Sequence, residues 1–144
     1  MIHGEFFGGR PFLRATVVIP WVDATGHRYE ARTDLPFLVD TGTDQTVLCL
    51  PDYEVRLGLP LSAAPRLSGG IAGVGGRSPM RAIAGSMELQ EEDGSWRTIS
   101  LVFAVPVIAP NAPPLHVSLL GADVWGLGTL TVDRPRGRVT LDLG

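Results

Sequence analysis

The sequence has no lysine, a single cysteine and no long apolar run, and each of these absences excludes a class of function. All 12 cationic residues are arginine, which excludes Schiff-base chemistry, a lysine general base and a lysine-containing phosphate-binding loop. The lone Cys49 excludes an internal disulfide and a multi-cysteine zinc site, and we expect it to be a buried small hydrophobic residue. The longest apolar runs, such as 101–105, are far shorter than the ~20 residues that a membrane helix needs.

Charge and histidine placement exclude further partners. The net charge of −3 is too small, and of the wrong sign, for general nucleic-acid binding. The three histidines, His3, His27 and His116, are scattered without the spacing of metal ligands. The first residues lack the apolar stretch and small-residue cleavage site of a signal peptide. We therefore expect no metal, no cofactor, no nucleic-acid partner and no membrane association, and a cytoplasmic location.

Glycine and proline, the two residue types that most often interrupt helices and strands, are abundant. Eighteen glycines and 12 prolines divide the 144 residues into short segments, and short β-segments between turn signals are typical of an all-β barrel or sandwich. The length fits a single domain, 1–144. Short helices are expected at 51–57 and 121–127. The predicted strands are 14–22, 28–32, 35–39, 46–50, 80–90, 96–105, 117–120, 129–133 and 138–143.

The sharpest motif is Asp40-Thr41-Gly42, which directly follows the apolar run 35–39. The apolar strand brings an acidic residue to its end, where threonine and glycine turn the chain. On its own the tripeptide is also compatible with an ordinary strand-to-turn junction, in which the aspartate hydrogen-bonds its own backbone two residues on. Downstream lies a segment of mostly glycine and small residues, 67–79, which on composition alone could be a flexible connection.

In this order, these features resemble the retropepsin-like aspartic proteases over roughly residues 14–143. The motif of that family matches 39–46, its glycine-rich flap resembles 69–76, and its late hydrophobic-hydrophobic-glycine element resembles 119–121. The resemblance implies a closed retropepsin-like acid-protease barrel with one or two short helices and a flap hairpin. An N-terminal arm, 1–13, precedes this barrel and has no clear counterpart in the family.

The resemblance also implies the residues of the site. Asp40 would activate water, while Thr41 would reach across a subunit interface and Gly42 would allow a close approach. The glycines of the flap would let its tip offer N–H groups to a bound chain. The implied catalytic residues are Asp40, Thr41 and Gly42, and the implied substrate-binding residues are Asp44, Gly70, Ile71, Val74 and Gly75.

The sequence departs from the family pattern at Ala122. In the family an arginine often follows the late glycine and pairs with the second aspartate, which is Asp44 here. Either another arginine supplies this charge or the dimer is braced differently, so Asp44 is a weaker candidate than Asp40. For Asp123, at the start of the expected helix, we predict a cap or helix-dipole role.

One Asp-Thr-Gly in a chain of this length predicts a homodimer. Peptide hydrolysis by carboxylates needs two acids that share one proton, and a two-fold axis would bring Asp40 and its symmetry mate together. The predicted function is therefore a homodimeric aspartic endopeptidase acting on peptide or protein substrates, with apolar pockets beside the dyad. Two alternatives stay open: a non-catalytic dimerisation or peptide-binding module on the same fold, and hydrolysis of a non-peptide amide or ester.

Overall fold

A computed structural model describes residues 1–63, 71–73, 76–78, 80–107 and 115–144, and these residues confirm an all-β fold. The helical elements are the single turn α1 (Ala122–Trp125), a π-helical turn at Asp52–Arg56 and a 3₁₀ turn at Leu61–Ala63. The strands are β1 (Ile2–His3), β2 (Glu5–Phe7), β3 (Arg10–Val22), β4 (Arg28–Val39), β5 (Ile71–Gly73), β6 (Gly76–Ser78), β7 (Met80–Gln90), β8 (Trp96–Pro106), β9 (Ser118–Leu120), β10 (Thr129–Asp133) and β11 (Arg138–Asp142).

The largest sheet has six strands, with β8, β7, β3, β4 and β9 in that order and β2 paired to β3. Its pairings are antiparallel except for β4 with β9, which run parallel. Side chains alternate along β3, where Leu13, Ala15 and Val17 are buried while Arg14 is exposed. This period of two directs one face of the sheet into the core.

The β3–β4 hairpin is longer than the sequence predicts. The segments 28–32 and 35–39 were expected as separate strands, but both belong to β4, which pairs with β3 from Val22 to Phe12. The hairpin turns at Asp23, whose Oδ1 accepts hydrogen bonds from the N–H and hydroxyl of Thr25 and from the N–H of His27. These bonds, led by the Thr25 hydroxyl, lower the pKa of Asp23.

The smaller sheet joins the two ends of the described chain in the order β1, β11, β10. The predicted C-terminal hairpin is thus confirmed, with Leu130 opposite Leu141. The N-terminal arm, 1–13, is built into both sheets, because β1 pairs with β11 and β2 pairs with β3. Gly8 and Gly9 turn the chain between β2 and β3 with φ of 56° and 74°, values that L side chains rarely adopt.

The predicted strand 46–50 is wrong: within it only Val47 forms isolated bridges, to Ala104 and to Leu119. The N–H of Val47 donates to the main-chain oxygen of Leu119 at 2.9 Å, and the N–H of Leu48 donates to that of Ala104 at 2.8 Å. The segment therefore fills the gap between β8 and β9 and does not extend a ladder. Cys49 in this segment is buried, as predicted.

Part of the glycine-rich segment is an antiparallel pair of strands. β5 and β6 place Ile71 opposite Ser78 and Gly73 opposite Gly76. The predicted flap residues Gly70, Val74 and Gly75 lie outside the described residues. The identity of this hairpin as a flap stays a prediction.

Candidate functional site

Asp40 lies directly after the end of β4, where β4 runs parallel to β9. Val39 pairs with Leu120, and the N–H of Asp40 donates to the main-chain oxygen of Leu120 at 3.2 Å. Val39 and Leu120 are both buried, while Asp40 is half-buried. The two paired strands therefore carry the acidic residue from the core to the surface, as the sequence predicts.

The carboxylate of Asp40 is held by its own loop. The N–H of Gly42 donates to Asp40 Oδ1 at 2.8 Å. A Cβ atom at position 42 would lie 3.2 Å from the same oxygen, which is closer than most side chains allow. Gly42 thus permits the tight approach that orients the carboxylate, while Thr41 beside it is exposed.

Helix α1 holds the loop that follows Asp40. The N–H groups of Ala122 and Asp123 donate to the main-chain oxygens of Thr43 and Asp44, each at 3.0 Å. The indole Nε1 of Trp125 donates to the main-chain oxygen of Asp40 at 3.2 Å. The short helix therefore holds the Asp40 loop at three main-chain oxygens, two through backbone N–H groups and one through the indole of Trp125. The Asp44 side chain itself is exposed.

Of the two roles predicted for Asp123, the cap is wrong, because its carboxylate has a different partner, while the helix-dipole role stays a prediction for this residue of the first turn of α1. Asp123 Oδ2 accepts a hydrogen bond from the N–H of Thr46 at 3.0 Å, and Oδ1 accepts one from its hydroxyl at 2.7 Å. The same hydroxyl oxygen accepts the N–H of Gly121 at 3.1 Å. Thr46 is fully buried, so this network ties the end of the Asp40 loop to α1 inside the protein.

Gly121 makes this network possible. A Cβ atom there would lie 2.4 Å from the main-chain carbon of Gln45, a distance that atoms do not reach without displacement. The start of α1 is thus pressed against the Asp40 loop, and this contact brings Asp123 to Thr46. The late Leu-Leu-Gly element of the sequence therefore packs directly on the Asp-Thr-Gly element.

A cleft of about 420 Å³ opens beside Asp40. It is lined by Arg10, Pro11, Leu38, Val39, Asp40, Thr41, Val132 and Arg134. Its lining combines apolar residues with two arginines, and the apolar character expected of substrate pockets stays a prediction. The guanidinium of Arg134 donates from Nη1 to the main-chain oxygen of Gly9 at 2.7 Å, so it joins the β2–β3 turn to the end of β10.

Arg10, Val132 and Arg134 line the cleft together with Asp40, although they were not predicted as site residues. Arg10 comes to the cleft through the pairing of β3 with β4, in which Phe12 lies opposite Leu38. Continuing this antiparallel register by two residues places Arg10 opposite Asp40. The positions of Val132 and Arg134 depend on how the two sheets pack together, for which the sequence holds no local signal.

The predicted site residues separate into two groups. Asp40, Thr41, Gly42 and Asp44 lie in one loop. Ile71 is in β5, and Gly70, Val74 and Gly75 are outside the described residues. Of the predicted site residues that the structure describes, Ile71 is thus the one outside the Asp40 loop.

Among the described residues, no three His, Cys, Asp or Glu side chains form a group that could hold a metal ion. In the same part of the chain, no helix has the length and apolar character needed to cross a membrane.

Comparison with protein-family models finds no match, and comparison with curated protein sequences finds none either.

Proposed function

We propose that this chain is an aspartic endopeptidase that acts as a homodimer. The observation that carries the proposal is the position of Asp40: its half-buried side chain follows the end of β4 and lines a cleft of about 420 Å³. A half-buried acid at a strand end, held by its own loop and next to a cleft, is a candidate acid–base group.

The chemistry requires two such acids. One carboxylate removes a proton from water while the other donates a proton to the carbonyl oxygen of the peptide bond. Two carboxylates a few ångströms apart cannot both ionise, so the pair binds one shared proton and titrates as a unit. The chain has one Asp-Thr-Gly. Asp40 of a second copy supplies the other acid, across a two-fold axis.

The remaining parts of the proposal follow the resemblance to retropepsin-like proteases. Each subunit forms a closed acid-protease barrel, and the segment 69–76 is the tip of a flap that covers the dyad and excludes water. Asp44 is exposed in the same loop as Asp40, where it accepts N–H groups of the substrate backbone.

The lining of the cleft supports a proposal about the substrates. Pro11, Leu38 and Val132 give it apolar walls, while Arg10 and Arg134 add positive charge. An extended peptide with apolar side chains next to the cleaved bond and an acidic side chain nearby fits this lining. The substrate is therefore expected to be a protein segment with mixed apolar and acidic character.

The test is cleavage of a diverse peptide pool between about pH 3.5 and about pH 7.5, the range in which a carboxyl pair can hold one proton. Wild type and Asp40→Asn are compared, with Asp34→Asn as a matched control, because Asp34 is an exposed aspartate of β4. We expect Asp40→Asn to lose cleavage by ~100-fold or more and Asp34→Asn to retain it.

Two results would contradict the proposal. Wild-type cleavage by Asp40→Asn would show that Asp40 is not the catalytic acid. The absence of cleavage by a confirmed wild-type dimer would instead favour the non-catalytic dimerisation or peptide-binding module.

A further inference from the structure

Strand β8 is a long edge strand of the six-stranded sheet. It pairs with β7 along all of its 11 residues, and in the described part of the chain no strand pairs with its other side. We call the side of 96–102 that faces away from β7 the β8 edge. A free row of backbone donors and acceptors is a template for pairing with another strand.

Hydrogen bonds near the end of β8 show which of its backbone groups point outward. The N–H of Ala104 donates to the main-chain oxygen of Thr46 at 3.0 Å, and the main-chain oxygen of Ala104 accepts the N–H of Leu48 at 2.8 Å. Both groups of Ala104 therefore point away from β7. Because this direction alternates along an antiparallel strand, the backbone groups of the other even-numbered residues of β8 point outward too.

The free part of the β8 edge has two defined ends. The strand begins at Trp96, and at Val102 the outward oxygen is already occupied, because it accepts the side-chain N–H of Gln45 at 3.1 Å. Between these ends, the outward-pointing backbone groups belong to Trp96, Thr98 and Ser100. Thr98 is therefore the midpoint of the free run.

The β8 edge has few of the features by which sheets prevent edge pairing, which include short strands, prolines and charged side chains. Its one charged residue is Arg97, whose guanidinium is bound to Glu91 at 2.9 Å. The exposed face of β4, by contrast, alternates arginine with glutamate and aspartate over 28–34. Large apolar side chains are exposed on β8, since Trp96 is 56% and Val102 is 46% exposed. This edge is therefore suited to pairing with a strand of similar composition.

We propose that two copies of this chain pair through their β8 edges, antiparallel about a two-fold axis at Thr98. The axis places Thr98 opposite Thr98 of the partner subunit, and Trp96 opposite Ser100 of the partner subunit. Every outward N–H and C=O of the free run then has a partner. Each strand begins opposite Ser100 of the other, so neither reaches the oxygen of Val102 that Gln45 occupies.

The proposed register is self-complementary, which favours a second copy of this chain over an unrelated partner. Threonine pairs stabilise antiparallel strands. Arg97 lies opposite Ile99 of the partner subunit, so no like charges oppose each other directly. Trp96 and Val102 of the partner subunit are diagonal neighbours, a separation that an aromatic side chain can span. The same surface serves both subunits, as a two-fold interface requires.

This pairing is a second interface, separate from the dimer of the proposed function. Among the described residues that line the cleft of Asp40, none belongs to β8. The pairing therefore leaves that cleft open and does not depend on its activity. A chain with two different two-fold interfaces assembles into a tetramer or a longer array.

A disulfide trap tests the register. Thr98→Cys places a thiol opposite its own copy, with about 5.5 Å between Cα atoms, which a disulfide tolerates. Ser100→Cys is the matched control, because the two copies of position 100 would be offset by four residues, or roughly 13 Å at ~3.3 Å per residue. Mild oxidation and a non-reducing gel should show linked chains for Thr98→Cys and none for Ser100→Cys. Equal linking of the two variants, or no linking of Thr98→Cys, would overturn the proposal.

A proline variant tests the same edge without oxidation. Ser100→Pro removes a backbone N–H that points away from β7, so the ladder with β7 stays intact. Each subunit loses one intersubunit hydrogen bond, and we expect association to weaken by ~10-fold or more in sedimentation at several concentrations. Ser100→Ala is the matched control, since it removes the hydroxyl and keeps the N–H. Circular dichroism verifies that both variants fold.

Three results of the proline test would overturn the proposal. These are unchanged association of Ser100→Pro, equal weakening in Ser100→Ala, and unchanged association together with poorer cleavage of long peptides by Ser100→Pro. The last result would assign the β8 edge to an extended substrate.

The trap also separates the pairing from the activity, because it uses no substrate. Asp40→Asn combined with Thr98→Cys should link as fully as Thr98→Cys alone. Linking at position 98 by a protein that cleaves nothing would keep the pairing and remove the proposed function. Cleavage that depends on Asp40, without linking at position 98, would keep the function and overturn the pairing.

Discussion

The indole nitrogen of Trp125 donates a hydrogen bond of 3.2 Å to the main-chain oxygen of Asp40. The contact joins helix α1 to the residue that we propose as the catalytic acid. It does not touch the carboxylate, so Trp125 is a positioning residue. Its N–H anchors the main-chain oxygen of Asp40, while the N–H of Asp40 is bound to Leu120 of β9.

Trp125→Phe should lower catalysis more than binding. Phenylalanine keeps an aromatic ring but lacks the N–H, so the Asp40 backbone loses one anchor while the cleft keeps its lining. We expect kcat to fall about tenfold with little change in KM, because small misplacements of a reacting group are costly. The free energy of unfolding should fall by only about 1 kcal/mol. Peptide-cleavage kinetics and urea denaturation measure the two effects.

The control for Trp125→Phe is Trp96→Phe, because Trp96 is exposed at the start of β8. It should change neither kcat nor stability. Equal kinetics for the two variants would mean that the Trp125 hydrogen bond has no role in positioning Asp40.

Thr46→Val should be strongly destabilising although the side chain keeps its shape. The substitution removes the hydroxyl that donates to Asp123 and accepts from Gly121. The buried N–H of Gly121 and the part-buried carboxylate of Asp123 then each lose a partner, which we expect to cost about 2–3 kcal/mol of unfolding free energy. Urea denaturation measures this loss. Thr98→Val, at an exposed position of β8, is the control and should change stability by less than about 0.5 kcal/mol. A similar small change in both variants would show that the network contributes little.

Glycine-to-alanine substitutions should separate folding from function at two positions of the site. In Gly121→Ala the new Cβ would lie 2.4 Å from backbone of Gln45, whereas in Gly42→Ala it would lie 3.2 Å from the Asp40 carboxylate. We expect Gly121→Ala to lose several kcal/mol, about the cost of overpacking a core. Gly42→Ala should stay folded but lose cleavage, because its neighbour is the carboxylate that must be oriented. Thermal unfolding and cleavage assays distinguish these effects, and the reverse pattern would contradict the assigned roles.

Cys49 should be unreactive in the folded protein. The residue is buried, and burial raises the pKa of its thiol. Less of the reactive thiolate is therefore present at any given pH than in an exposed cysteine. Iodoacetamide labelling followed by mass spectrometry should modify Cys49 only after denaturation. Thr98→Cys supplies an exposed thiol as a positive control, and rapid labelling of Cys49 in the native protein would contradict its buried position.

Local patterns in the sequence predicted most of the strands and the position of Asp40. Alternation of apolar and polar residues identifies β10 and β11, and the apolar run before Asp40 identifies the end of β4. The same reasoning failed at 46–50, where the apolar residues fill the space between β8 and β9 and so need not form a ladder. Periodicity reports burial, and burial alone does not determine which backbone groups pair.

The residues that the sequence did not reveal at the site are determined by tertiary packing. Arg10 reaches the cleft through the register of β3 with β4, and Arg134 reaches it because β10 packs near the β2–β3 turn. Asp123 was assigned to its own helix because the helix start was the only neighbour visible in the sequence. Its actual partner, Thr46, is 77 residues away.

The way in which the N-terminal arm is bound has a consequence for how an active dimer would arise. β1 and β2 complete sheets of their own subunit, so a single chain can finish folding before it meets another. Assembly is then a collision between finished monomers, and it can be reversed without unfolding either of them. In the proposed enzyme, the concentration of the chain would control activity. Monomers at low concentration would be inactive, and cleavage would begin where the concentration is high enough for dimers to form.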